Sequence, residues 1–245
     1  MKHYARFLTI AGSDSGGGAG IQADIKTASA LGCYAASAIT SVTTQNTLGV
    51  SAVHVLPVEV VAGQVEAVLS DIGADAVKLG MVPTPEIAEA VAVLLKKYHV
   101  RNVVLDPVMV ATSGDRLISE SAVGAIVEKL FPLATLITPN VPELAFLAGR
   151  KIAGSADFRP AVEALRGRGA HAVLAKAGHL PDDEVSDRLF EGSSEHAYPY
   201  LKVHTENTHG TGCTLSSAIA AFLARGFSLP EAVGRAEDYI HGAIA

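Results

Sequence analysis

The chain predicts an α/β fold, a mostly parallel sheet wound by helices on both faces, and three observations carry that expectation. Short β-branched runs alternate with longer Ala-rich amphipathic stretches along most of the 245 residues, the order expected of repeated βαβ units. The composition is 49% hydrophobic but only 5% aromatic, with no Trp, so the apolar content is mostly the Ala, Val, Leu and Ile that pack helices onto a sheet buried on both sides. Between about 185 and 204 the rhythm breaks into two short alternating runs around Gly192, Ser193 and Ser194. That is a β-hairpin signal, and the sheet is expected to end antiparallel there.

Taken in order, "RFLTIAG" reads as a first strand, because the apolar stretch of "MKHYARFLTIAG" is too short for a signal peptide and runs straight into "SDSGGG". "GIQADIKTASALG" follows, then "YAASAITSVTTQ" and "PVEVVAGQVEAVLSDI", and after them the strand-like "DAVKLG", "RNVVLD" and "ATLITPN" alternate with "PEIAEAVAVLLKKY" and "SESAVGAIVEKLF". Another strand leads into "VLAKAGH", and a run of small and apolar residues with helical spacing follows "NTHGTGC". No linker, low-complexity tract or fixed-period repeat interrupts this order, so residues 1–245 are expected to form one domain.

Bulk properties exclude several functions. Net charge is −6 and no segment gathers Lys and Arg into a stripe, which argues against a nucleic-acid partner. No apolar run reaches the roughly 18 residues of a membrane span, so no membrane partner is expected. Cys33 and Cys213 lie far apart, which fits neither a disulfide framework nor a four-ligand zinc site and agrees with a reducing cytoplasm.

In open α/β sheets the ligand crevice lies beyond the carboxyl ends of the strands, and five such places stand out. The first is "AGSDSGGGAGIQAD", residues 11–24. Its "GAGIQA" matches a dinucleotide fingerprint, but no Asp or Glu occurs from Ile25 to Val58 to hold a ribose, so NAD is discarded. What remains is a glycine turn that lets backbone approach a small ligand or serves tight packing, with Asp24 one turn into the helix. The second is "SVTTQNTLGV", where the Gln45 amide offers a donor and an acceptor to a heterocycle, or simply makes a turn. The third and fourth, "NVVLDPVM" and "LITPNVPE", place Asp106 and then Asn140 and Glu143 after strands. Two carboxylates there can hold Mg²⁺ through waters. Asp106 before Pro107 also suits a turn, and Asn140 to Glu143 has capping-box spacing. The fifth is "NTHGTGC", where the amides of Thr211, Gly212 and Cys213 at a helix start favour an oxyanion or phosphoryl group. No GxxxxGK[ST] occurs, which excludes a P-loop nucleoside triphosphatase; Lys176 in "VLAKAGH" can bring positive charge to phosphates.

Together these segments resemble the ribokinase-like small-molecule kinases, and among them the hydroxymethylpyrimidine and phosphomethylpyrimidine kinases of thiamine biosynthesis. "AGSDSGGGAGIQADIKT", "TTQNTLGV", "KLGM", "TPNVPE", "KAGH" and "NTHGTGCTLSSAIA" occur in the family's order over about residues 7–242. The resemblance implies a ribokinase-like three-layer sandwich, ATP and Mg²⁺ as cofactors, and a homodimer. It implies that Gly12, Asp24, Gln45, Met81 and Val108 line the pyrimidine pocket, with Asp24 and Gln45 bonding the ring and its amino group. It places Asp106 and Glu143 at the metal, Lys176 and Asn140 on the nucleotide side, and Gly210, Thr211 and Gly212 in an anion hole with Cys213 as base. Most of the wider superfamily has Asp at the Cys213 position; the helix N-terminus is expected to favour the thiolate. Many relatives carry Ser or Pro where Gly16 stands, and many continue past "YIHGAIA" with a Gly- and His-containing tail.

The expected activity is ATP-dependent phosphorylation of 4-amino-5-hydroxymethyl-2-methylpyrimidine and then of its monophosphate. The alternatives are a pyridoxal or pyridoxine kinase on the same scaffold and a pyrimidine-binding protein without turnover.

Overall fold

The computed structural model describes residues 4–109, 118–181, 184–205 and 207–244. Its nine strands form one sheet: β1 (Arg6–Asp14), β2 (Tyr34–Asn46), β3 (Gly49–Val55), β4 (Ala76–Leu79), β5 (Val103–Leu105), β6 (Leu136–Ile137), β7 (Ala172–Ala175), β8 (Glu184–Glu191) and β9 (Ser194–Leu201). Their spatial order is β3-β2-β1-β4-β5-β6-β7-β8-β9. From β2 to β7 every pairing is parallel, while β3 and the β8–β9 hairpin run antiparallel at the two ends.

Side-chain alternation along the central strands divides the core into two halves. Leu8, Val77, Val103, Ile137 and Val173 face one apolar cluster. It is completed by α2 (Val58–Ala67), α3 (Pro85–Lys97), α4 (Glu120–Ala125), α5 (Val141–Ala148) and α6 (Phe158–Arg166). Their neighbours Phe7, Ala76, Val104, Leu136 and Leu174 face the other, against α1 (Gly20–Ala30), α7 (Thr211–Ala224) and α8 (Leu229–Ile244). The result is the expected three-layer sandwich, with the expected hairpin turning at Gly192 in a left-handed conformation, φ 54°.

The hairpin formed by β2 and β3 is absent from the sequence reading. Residues Gly49–Val55 bury no face, so no two-residue alternation marks them as a strand. Their register is set locally, where Asn46 Oδ1 accepts from the N–H groups of Leu48 (2.9 Å) and Gly49 (3.3 Å).

Candidate active site

The parallel strands end on one side of the molecule, and each end delivers a polar group. Asp106 directly follows β5 and is 2% exposed. Its Oδ1 accepts from Lys176 Nζ (3.2 Å) and Thr138 Oγ1 (3.1 Å), and its Oδ2 from Ser216 Oγ (3.3 Å). Burial opposes ionisation of Asp106, but the ammonium groups of Lys176 and Lys78 outweigh it and hold the carboxyl below its usual value. Lys176 follows β7 and is likewise held charged: burial works against the ammonium, and the carboxylates of Asp106 and Glu143 more than offset it.

The capping reading of Glu143 holds in the geometry. Asn140 and Glu143 form a complete capping box on α5: Asn140 N–H donates to Glu143 Oε2 (2.8 Å), and Glu143 N–H donates to Asn140 Oδ1 (2.9 Å). The amide oxygen of Asn140 is therefore committed to the cap rather than to a nucleotide. The Glu143 carboxyl is nevertheless close enough to Asp106 and Lys176 to feel both, and burial together with Asp106 pushes it up to about 7 against the pull of Lys176. Two mutually repelling carboxyls beside a crevice suit a magnesium ion that keeps its waters and meets substrate phosphates, rather than one caged by protein alone.

The head of α7 completes this side. Gly210 caps it in the left-handed region, φ 84°. A Cβ on Gly212 would lie 3.4 Å from Lys176 Nζ and 3.8 Å from Asp106 Oδ2, so the backbone of Gly212 stands directly over the Lys–Asp pair. The Thr211 amide corrects the sequence reading: it donates to Thr208 O (3.2 Å) and is not turned to a ligand. Among the described residues, the first-turn N–H groups of Gly212 and Cys213 have no backbone partner.

Cys213 brings a second correction. Its thiol is pushed up to about 11, chiefly by burial; Lys78 pulls the other way, and the carboxylates of Asp24 and Asp106 add to the rise. The helix-end field and a Gly20 N–H directed at the sulfur do not make a thiolate there at neutral pH.

Across β1, β2 and the residues after β4, Gly12, Ser41 and Met81 meet. A Cβ on Gly12 would lie 2.9 Å from Ser41 Oγ and 3.4 Å from Met81 Sδ, so this wall is packed too closely for a side chain larger than that of glycine. Gln45 is half-buried, with Oε1 accepting from Thr43 Oγ1 (3.0 Å) and its backbone tied to Ser15. Val108 is partly exposed two residues beyond Asp106, to whose carbonyl its N–H donates (2.8 Å).

Asp24 does not join this wall. It is fully buried, and its oxygens accept from Thr9 Oγ1 (2.6 Å), Ser217 Oγ (2.7 Å) and Lys78 Nζ (2.9 and 3.0 Å). A carboxylate so occupied has no surface left for a ring, which overturns its assignment as a ring ligand. Lys78 was missed, although a charge inside the otherwise apolar run "DAVKLG" was a visible signal. Asp14 and His209 were missed too, and Asp14 was marked by its place at a strand end before a glycine turn.

Behind Lys176 lies a second buried acidic group. Asp187 Oδ1 accepts from Ala177 N–H (2.6 Å) and Tyr200 OH (3.0 Å), and burial plus the charge of Asp187 raises Glu237 well above its ordinary value. Folded Glu237 therefore keeps a proton that the unfolded chain releases above about pH 4.3, so this residue costs stability as pH rises through that window. Glu237→Gln is expected to match the native chain in urea unfolding near pH 4 and to exceed it near pH 8. An unchanged difference between the two pH values would contradict this.

Fold and crevice together define a ribokinase-like small-molecule kinase. Comparison with known proteins agrees: the phosphomethylpyrimidine kinase family model matches residues 14–245. The chain belongs to that family. The hydroxymethylpyrimidine/phosphomethylpyrimidine kinase of Rhizobium meliloti is 54% identical over 97% of this chain and 90% of its own length. Among solved structures, the phosphomethylpyrimidine kinase of Clostridium difficile superposes with a TM-score of 0.87 at 44% identity, covering 98% of this chain and 99% of that one. The Bacillus subtilis pyridoxal kinase, in an ADP complex, gives 0.91 at 35% identity, covering 98% and 92%.

Proposed function

We propose that the chain moves the γ-phosphoryl group of ATP to the hydroxymethyl oxygen of 4-amino-5-hydroxymethyl-2-methylpyrimidine, and then a second group to the monophosphate so formed, in thiamine biosynthesis. The observation that carries this reading is the juxtaposition of the Gly212 backbone with Lys176 and Asp106. Phosphoryl transfer needs positioning and charge neutralisation more than covalent help, and this arrangement offers both.

In the first step the acceptor oxygen bonds to phosphorus as the bond from phosphorus to the ADP oxygen breaks. The amides of Gly212 and Cys213 receive the equatorial oxygens, where donors aimed at the transferring group are most effective. Lys176 offsets the charge left on ADP. Asp106 and Glu143 would hold Mg²⁺, which would add charge neutralisation when bound. Gly12, Met81, Val108 and Gln45 would shape the ring pocket.

A protonated Cys213 accepts no proton at the outset. It orients the hydroxyl through sulfur, and as the new P–O bond forms the hydroxyl proton passes to a non-bridging oxygen of the transferred phosphoryl group and from there to solvent. The second acceptor is an anionic phosphate that needs no such orientation. Cys213→Ala is therefore expected to slow the first step about tenfold more than the second, read by separate assays with alcohol and monophosphate. Equal losses would remove sulfur from the acceptor.

ATP consumption that depends on the pyrimidine tests the whole reading. A side-by-side assay with pyridoxal tests the alternative that the Bacillus subtilis structure favours, and a higher kcat/KM on pyridoxal would reverse the choice. We place the enzyme in the cytoplasm, since Cys33 and Cys213 are free thiols and no described helix is long and apolar enough to cross a membrane. We read it as one domain on one continuous sheet. We also read it as a homodimer, for which exposed Leu48, Val53 and Val55 on the β2–β3 hairpin offer an apolar contact; sedimentation would report it.

A further inference from the structure

Asp14 is the last residue of β1 and is 3% exposed. Its Oδ1 accepts from Gly16 N–H (2.7 Å) and its Oδ2 from Gly18 N–H (3.1 Å) and Ala19 N–H (2.8 Å). Those three bonds already order the glycine turn that leads into α1. A fourth partner reaches it from the far end of the chain: His209 Nε2 lies 2.9 Å from Oδ2. Burial opposes ionisation of Asp14, but His209 and the loop amides hold it below its ordinary value, so the carboxylate only accepts. The imidazole must then carry its proton on Nε2.

The two loops joined by this bond also touch through bare backbone. A Cβ on Gly18 would lie 2.6 Å from His209 Cδ2, and one on Gly210 would lie 1.7 Å from Gly18 O. The residue after His209 is the left-handed cap of α7, and the glycine turn ends at Gly20, whose N–H is directed at Cys213 sulfur. One contact thus fixes both the start of the anion-receiving helix and the turn beside the acceptor.

We propose that Asp14 and His209 form a latch that sets the distance between the acceptor side of the crevice and the phosphoryl cradle, making His209 a positioning residue for transfer. The inference rests on the phosphotransfer reading above. A misplacement of the cradle by about 1 Å costs on the order of 10²-fold in rate, whereas the ring pocket itself contains neither residue.

The test uses the full chain with ATP and either the pyrimidine or pyridoxal. His209→Ala is expected to lower kcat about 10- to 100-fold with KM for the acceptor within about threefold. His209→Gln, which sets an amide N–H where Nε2 stands, is expected to recover most of that loss. Tyr198→Phe, which removes a hydrogen bond to Pro230 O remote from the crevice, should lower the melting midpoint without changing kcat. Hydrogen exchange adds a readout free of substrate: His209→Ala should accelerate amides in 15–19 as well as in 207–213. A native kcat in His209→Ala, equal losses in the Ala and Gln variants, or acceleration confined to 207–213 would each overturn the latch. If the native chain turns over pyridoxal alone, the substrate assignment falls, while the same variants on pyridoxal still decide the latch.

Discussion

Gly210→Ala is expected to lower kcat by about 10²–10³ while leaving the sheet folded. The added methyl would sit 1.7 Å from Gly18 O, a distance that no rotamer can relieve because the methyl has none and the oxygen belongs to backbone. Residue 210 also adopts φ 84°, which costs a side-chain-bearing residue about 1–2 kcal/mol. The chain must therefore shift at the cap of α7, and the Gly212 and Cys213 donors shift with it. In the proposed mechanism those donors act at the transferring group, so the loss is expected to fall on kcat for both phosphorylations and little on acceptor KM. Steady-state kinetics alongside circular dichroism would check this. Near-native turnover by a folded Gly210→Ala protein would show that the α7 amides do not receive the phosphoryl group.

Lys78→Met is expected to be the most destabilising of these changes, by about 3–5 kcal/mol, because it strands the Asp24 carboxylate in the core without its counter-ion. Both side chains of this pair are fully buried. Adding Asp24→Asn removes the stranded charge and keeps an oxygen that accepts from one of the Thr9 and Ser217 hydroxyls while its NH₂ donates to the other, so the double variant should regain most of the loss. Denaturant unfolding of the two single variants and the double measures the coupling; additive losses would mean the pair is not the source. The pH dependence has a definite sign. The surrounding carboxylates, Asp24 foremost, outweigh burial and raise Lys78 above its ordinary range, so its stabilisation is complete below the unfolded value near 10.4. It is lost only in more alkaline solution as pH climbs toward the folded value, and acid in the range where carboxylates stay ionised leaves it intact.

The strand-helix alternation was legible because burial on both faces of a parallel sheet leaves uninterrupted apolar runs such as Val103–Leu105. The second hairpin was not, because Gly49–Val55 faces solvent on both sides and carries no burial pattern. The chemistry-bearing positions at strand ends were readable for the same topological reason: Asp106, Lys176 and Glu143 each come after an apolar run, while the 210–213 turn is marked by the apolar helical run that follows it. Their ionisation was not. Cys213 looked like a thiolate from its place at a helix start, yet burial and two nearby carboxylates raise it instead.

Residue type, order and spacing in the chain by themselves determined the layered sheet, the family and which segments border the crevice, since these follow from local periodicity and from motifs contiguous in sequence. Only the tertiary structure decided that Asp24 turns inward to Lys78 and Ser217, that Thr211 spends its amide on Thr208, and that Asp14 meets His209 across the molecule. The physical reason is that hydrogen-bond partners and burial are set by long-range packing. A carboxylate one helical turn past a glycine loop can serve a ligand or the core, and only the groups brought beside it from elsewhere in the chain determine which.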